Sequence, residues 1–235
     1  MKNADITTLL HPAGRPFVAI AAVLALLFIW LFGTAGFFVG LILVSWVVYF
    51  FRDPPRTTPV RAGLVIAPAD GRVIMIKQVK PEADLGLGEE ELTRISIFLN
   101  VFDVHVNRVP VDGTITHVRY RAGKFFNASL DKASEDNERN AVAMTMEGEH
   151  PYTGQTIGVV QIAGLIARRI LCAVQPGHKL LAGERFGLIR FGSRTDVYLP
   201  RGMTPLVCVG QRTIGGETVL ADAQASEAPR KGEVR

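Results

Sequence analysis

From position 16 to position 51 the chain runs for 36 residues without a charge. As one continuous helix this run would reach about 54 Å, well beyond the roughly 30 Å hydrocarbon core of a bilayer. The interruption Gly33-Thr34-Ala35-Gly36 divides it into 17–32 and 37–51, each short for a full span of about 20 residues. The pattern therefore predicts an N-terminal membrane-associated helical hairpin over 1–51 that turns at the glycines; a single tilted span is the competing reading. A cleaved signal peptide is excluded, because the run is far longer than the ~7–15 residue apolar core of one. Lys2 and Arg15 precede the run, and Arg52, Arg56 and Arg61 follow it. Under the positive-inside tendency both ends face the cytoplasm.

After Pro54, Pro55 and Pro59, which make the exit stiff and non-helical, the period changes. Short apolar or alternating runs separated by turn residues predict strands over 63–67, 72–79, 93–102, 114–121, 141–146, 156–162, 171–174, 188–191, 196–199 and 206–209. Asp70-Gly71 supplies the turn between the first two. The stretch 85–92 reads as an exposed loop or short helix and 131–140 as a surface loop, periodicity leaves 163–170 undecided between helix and strand, and the tail from 221 reads as frayed. Many short strands at this spacing predict a mainly β fold, a barrel or sandwich, over 52–220.

Composition changes this picture little. The 26 Lys and Arg against 22 Asp and Glu give a net charge of +4. That is too small and scattered for a nucleic-acid stripe, though compatible with anionic headgroups. The mean hydropathy of +0.23 reflects the one apolar run. Cys172 and Cys208 are the only cysteines and form no Cys-x-x-Cys pair. Thiolate zinc is therefore not expected, and Cys172, in an apolar run, reads as a small hydrophobe. No spacing of histidines suggests another metal site.

The candidate chemistry lies in Gly183-Glu184-Arg185-Phe186-Gly187-Leu188-Ile189-Arg190-Phe191-Gly192-Ser193 and its continuation Arg194-Thr195-Asp196-Val197-Tyr198-Leu199-Pro200. A Gly-Ser bond on a tight turn can cut itself, the hydroxyl attacking the preceding carbonyl. Two more segments stand in order before it: Ala67-Pro68-Ala69-Asp70-Gly71, and Phe98-Leu99-Asn100-Val101-Phe102-Asp103-Val104-His105-Val106-Asn107-Arg108-Val109-Pro110. Together they resemble the phosphatidylserine decarboxylases, specifically their short bacterial form, from about residue 50 to 200.

The resemblance implies a barrel-sandwich-like β scaffold and a carboxy-lyase. It implies self-cleavage at Gly192-Ser193 into fragments 1–192 and 193–235 that stay together as a heterodimer, with a pyruvoyl group made from Ser193 as the only cofactor. Phosphatidylserine would bind that group as a Schiff base and leave as phosphatidylethanolamine and CO2, with Asp70 and His105 as catalytic residues beside Ser193. The implied location is the inner membrane, with the catalytic domain facing the cytoplasm; homo-oligomerisation is left open. In longer relatives a second histidine, three residues after the first, completes the self-cleaving triad. Here that position is Arg108, which cannot act as a base but can hold a carboxylate or phosphate. Either His105 does both jobs or Asp70 acts with another group. The alternative without chemistry is a membrane-tethered, lipoyl-like carrier or binding module.

Overall fold

The computed structural model describes residues 9–123, 137–164, 169–190 and 192–233, and the chain divides into two compact units, 1–55 and 56–235. In the first unit a helical segment, α1 (Arg15–Phe50), is interrupted at Gly33, whose φ of 55° and ψ of −128° are not helical. A positive φ is open to glycine at little cost, and here it reverses the chain. The two arms, 15–32 and 34–50, then lie antiparallel. A Cβ on Gly36 would fall 1.8 Å from the Phe28 carbonyl oxygen, and one on Gly40 2.9 Å from the Ala25 Cα. The Gly-x-x-x-Gly spacing thus lets the backbones meet, as in packed membrane helices. At the open end Phe17 stacks on Phe51 with ring centroids 5.1 Å apart. The His11 amide donates to the Phe51 carbonyl at 2.9 Å, and the Asp53 amide to that of Leu9 at 2.7 Å. The flanks of the hairpin stay strongly apolar and open, with Trp30 79% and Ile42 70% exposed. By length and composition the segment suffices to enter a membrane.

The second unit is built from strands, β1 (Leu64–Ile66), β2 (Gly71–Val79), β3 (Leu92–Leu99), β4 (Val106–Arg108), β5 (Gly113–Arg121), β6 (Arg139–Met146), β7 (Thr156–Ala163), β8 (Ile170–Cys172), β9 (Lys179–Leu180), β10 (Arg185–Ile189), β11 (Ser193–Tyr198), β12 (Arg212–Thr213) and β13 (Val219–Asp222). A curled eight-stranded sheet runs β12-β2-β3-β11-β7-β6-β5-β9, beside a three-stranded sheet β4-β10-β8 and the pair β1-β13. Among the described residues the strand pairings are antiparallel throughout.

Alternation decides the two faces of the large sheet. Val73, Ile95, Ile97, Ile115, Val142, Met144, Ile157, Val159 and Val197 point inward and form the main core with residues of the smaller sheets. Each such side chain, fully buried, stabilises by roughly 1.5–3 kcal/mol. Leu85, Leu92, Ala141, Val160, Ile162 and Tyr198 make a second cluster on the outer face, covered by the short 3-10 turn Ala83–Leu85.

The predicted strand positions hold with shifted ends, with three differences. The run 206–209 is no strand: Leu206 and Val207 are buried from a loop whose Leu206 amide donates to the Leu220 carbonyl at 2.7 Å. Residues 221 and 222 belong to β13, and Cys172, read as a small hydrophobe, is exposed. Of the loops, 139 and 140 open β6; residues 131–136, 165–168 and Phe191 lie outside the described residues.

Candidate active site

β11 is the centre of the large sheet, flanked by β3 and β7 along its whole length, and Ser193 is its first residue, in register with Leu99 and Ala163. Gly192, immediately before, has a φ of 61°. A Cβ there would meet nothing within 4 Å, so glycine serves the backbone angle and not the space. The Ser193 side chain faces inward with Thr195 and Val197. It is fully buried, and its Oγ has no hydrogen-bond partner. A buried hydroxyl left unpaired costs about 1–3 kcal/mol; such a group in a native fold asks for a reason.

His105 arrives at the same corner from another direction. β3 belongs to the large sheet and β4 to the small one, and residues 100–105 cross between them. β10 and β11 are divided between the two sheets in the same way. The Leu99–Ser193 pair closes one end of these two crossings; the Ile189 amide, donating to the His105 carbonyl at 3.2 Å, closes the other. His105 and Ser193 thus occupy one corner of the fold. His105 is fully buried, with Nδ1 2.9 Å from the Asp103 carbonyl oxygen. A carbonyl only accepts, so Nδ1 carries the hydrogen and Nε2 of the neutral ring holds the lone pair. The Asp103 carboxylate does not orient the ring; it accepts from Arg212 at 2.6 Å and from the Asn100 amide at 2.9 Å. Ala163, Ile170 and Ile189 form a small buried apolar cluster at this corner.

Asp70 lies at the same end of the large sheet. Thr213 of β12 pairs with Gly71 of β2, and β2 pairs with β3 next to Leu99. Thr213, Gly71, Leu99, Ser193 and Ala163 therefore form one row across five strands, and Asp70 stands just past it. Ser193 is two strands away, roughly 10 Å at the ordinary strand spacing. The Asp70 carboxylate accepts from Arg56 at 2.9 and 2.7 Å and from the Gly215 amide at 2.8 Å. Arg108, where longer relatives carry the second histidine, sits beside this pair. Its NH1 donates to the Gly183 carbonyl at 2.8 Å, and a Cβ on Gly216 would meet both Arg108 and Arg56. The three candidate residues thus share one end of the sheet. Asp70's direct partner is an arginine rather than a histidine.

Sequence reasoning missed the polar side chains facing this corner. Gln161, in register with Thr195 and Asn140, accepts from Asn140 at 2.9 Å and donates to Asn107 at 2.8 Å. All four are buried. Their signal was available: Thr195 follows Ser193 at the two-residue spacing that puts both on one face of a strand.

The outer face of β11 is different. Arg194 donates to Asp196 from Nε at 2.8 Å and from NH2 at 2.7 Å, and neither side chain is exposed. Arg94 lies 3.8 Å from Asp196, and Glu82 3.1 Å from Arg139. Burial raises the Glu82 carboxyl to about 7, outweighing the opposing pull of Arg139. Burial and the Asp196 charge push the Tyr198 hydroxyl up as well. A cavity of about 140 Å³ lined by Thr58, Val60, Asp112, Met146, His150 and Leu181 lies at the opposite end of β5 and β6, away from this chemistry.

The model of the phosphatidylserine decarboxylase family matches residues 43–221, which includes Asp70, His105 and Ser193. The chain belongs to this family. It is similar to the phosphatidylserine decarboxylase proenzyme of Cereibacter sphaeroides, with 56% identity over 226 residues, 96% of this chain and 95% of the relative. The proenzyme of Ruegeria pomeroyi is 54% identical over 92% of this chain and 95% of its own length. That of Paramagnetospirillum magneticum is 54% identical over 94% and 90%. The family is one of carboxy-lyases, and the name proenzyme marks these relatives as made in a precursor form.

Proposed function

We propose that this chain decarboxylates phosphatidylserine to phosphatidylethanolamine and CO2 with a pyruvoyl group that it makes from Ser193. The observation that carries the reading is the buried, unpartnered Ser193 Oγ directly after a left-handed Gly192. In the precursor the Oγ attacks the Gly192 carbonyl carbon; the C–N bond breaks as the C–O bond forms, and the amide becomes an ester. Loss of the residue 193 Cα proton then expels Gly192 as a carboxylate. Water replaces the freed nitrogen, which leaves as ammonia, and a ketone remains at the head of β11. That keto group supplies a covalent hold on a substrate amine and a sink for the electron pair that CO2 leaves behind.

The chain's own residues do the rest. His105, with its Nδ1 hydrogen fixed on the Asp103 carbonyl, offers Nε2 to take a proton from Ser193 in the precursor and to return one to the product carbon. Ala163, Ile170 and Ile189 keep the corner dry, which favours loss of a localised carboxylate charge. Asp70 and Arg56 hold the β12–β2 side of the end together through the Gly215 amide. After the cut, residues 193–235 remain attached, because β11 keeps its pairing with β3 and β7. The hairpin of 1–55 embeds in the membrane that contains the substrate, with both ends in the cytoplasm.

Intact-mass measurement of the purified protein tests this directly. The expected result is two fragments divided before residue 193, the smaller with a carbonyl at its new terminus. Ser193→Ala is expected to give one chain of 25.6 kDa without decarboxylase activity. Activity in that uncut variant overturns the reading.

A further inference from the structure

The row next to the Ser193 row contains an unusual accumulation of cations. Arg212 of β12 pairs with Arg72 of β2, Arg72 with Phe98, Phe98 with Arg194, Arg194 with Ile162, Ile162 with Arg139, and Arg139 with Arg121. Five arginines therefore lie in one line across seven strands, on the outer face. Like charges directly opposite one another destabilise a sheet, so the arrangement needs compensation. In the middle and at the β5 end it has it: Arg194 pairs with Asp196, Arg139 with Glu82 and Asp84, and Arg121 lies 3.9 Å from Asp84.

The β12–β2 end is compensated less. Arg212 reaches Asp103, but its side chain remains 65% exposed. The guanidinium of Arg72, also exposed, donates to the Gly210 carbonyl at 3.0 Å, a dipole rather than a charge. Two cations thus face each other at a water-exposed edge against one carboxylate, which is itself only 4% exposed. Beside them stand large apolar side chains that remain open to solvent. Phe102, next to Asp103 in the β3–β4 crossing, is 61% exposed, and Ile214, next to Thr213 of the Ser193 row, is 42% exposed. Both lie past the end of the strands, at the end where β11 begins with Ser193.

The geometry points to this edge as the surface by which the β unit sits on an anionic bilayer, with Phe102 and Ile214 entering the headgroup layer and Arg72 and Arg212 meeting its phosphates and carboxylates. Cations flanking exposed aromatic and aliphatic side chains are the chemistry of an interfacial contact. The placement also brings the corner containing Ser193 to the layer from which a lipid headgroup would have to be taken. The proposal rests on the reading of the substrate given above.

The test uses the full chain, so that the hairpin embeds equally in wild type and variants. Decarboxylation is compared on vesicles of phosphatidylserine diluted in phosphatidylcholine and on a monomeric short-chain phosphatidylserine in solution. Intact mass first verifies that each variant is cut to the wild-type extent. Arg72→Gln is expected to lower the ratio of vesicle to monomer kcat/KM about fivefold, and the pair Arg72→Gln with Phe102→Ser more, since each basic residue near an anionic surface is worth about a factor of five. Salt is expected to lower the wild-type ratio and to change the variant ratio less. An unchanged ratio in cut, active variants overturns the docking surface alone, whether both activities persist or both fall together. A wild-type chain that is cut but decarboxylates neither lipid overturns the substrate reading and the docking with it.

Discussion

β11 presents two faces that solve the problem of burying polar atoms in opposite ways. Outward, Arg194 and Asp196 satisfy each other through two short bonds within the strand, in a site with no exposure at all. Inward, Ser193 and Thr195 are equally buried, and neither hydroxyl oxygen has a partner. A charge cannot be left unpaired at that depth, because its desolvation would cost several kcal/mol; a hydroxyl can, at about 1–3 kcal/mol. The strand is therefore held by its outer face, while the inner face keeps an oxygen uncommitted. Rigidity on one side and an idle nucleophile on the other are what a self-cutting site requires.

Breaking the outer pair gives the largest expected effect on stability. Asp196→Asn leaves Arg194 buried without its countercharge and takes a partner from Arg94, so a loss of about 3–5 kcal/mol is expected in denaturant unfolding of the detergent-solubilised protein. Glu82→Gln, on the same face, acts in the other direction. With its carboxyl raised from 4.5 to about 7, folded Glu82 keeps a proton that the unfolded chain has lost between those values. Stability therefore falls as pH rises through that window and is flat above it. The variant is expected to be the more stable by about 3 kcal/mol at pH 8, with the gap closing toward pH 5 in thermal melts. Thr195→Val tests the inner face and gives the smallest effect. Removing an unpaired hydroxyl at nearly constant shape is expected to leave stability within about 1 kcal/mol or raise it slightly, and the chain should still be cut before residue 193. A Thr195→Val chain that stays whole by intact mass would show that the inner face acts as a pair of hydroxyls rather than through Ser193 alone.

What could be read from the residues was what is local. The uncharged run and its Gly33–Gly36 break carry the hairpin in a few consecutive positions, and the alternation of 114–121 carries β5. The run 206–209 misled because four apolar residues in a loop have the composition of a short strand, and only the partners of a strand distinguish the two. The candidate site divides in the same way. Gly192-Ser193, Asp70 and His105 stand out as short motifs. Arg56 as the partner of Asp70, 14 residues away across a Pro-rich exit, does not. The arginine row is not legible at all, since its members come from five strands spread between positions 72 and 212 and become neighbours only through register.

The hairpin has a consequence for how the protein is put in place. Its entry and exit are stitched to each other where the amide of Asp53 meets the carbonyl of Leu9, so the segment resembles a staple pressed in from one surface. On the membrane reading proposed above, only the uncharged bend around Gly33 has to travel into the lipid. Between residues 15 and 50, no charged stretch then needs to be threaded to the far side.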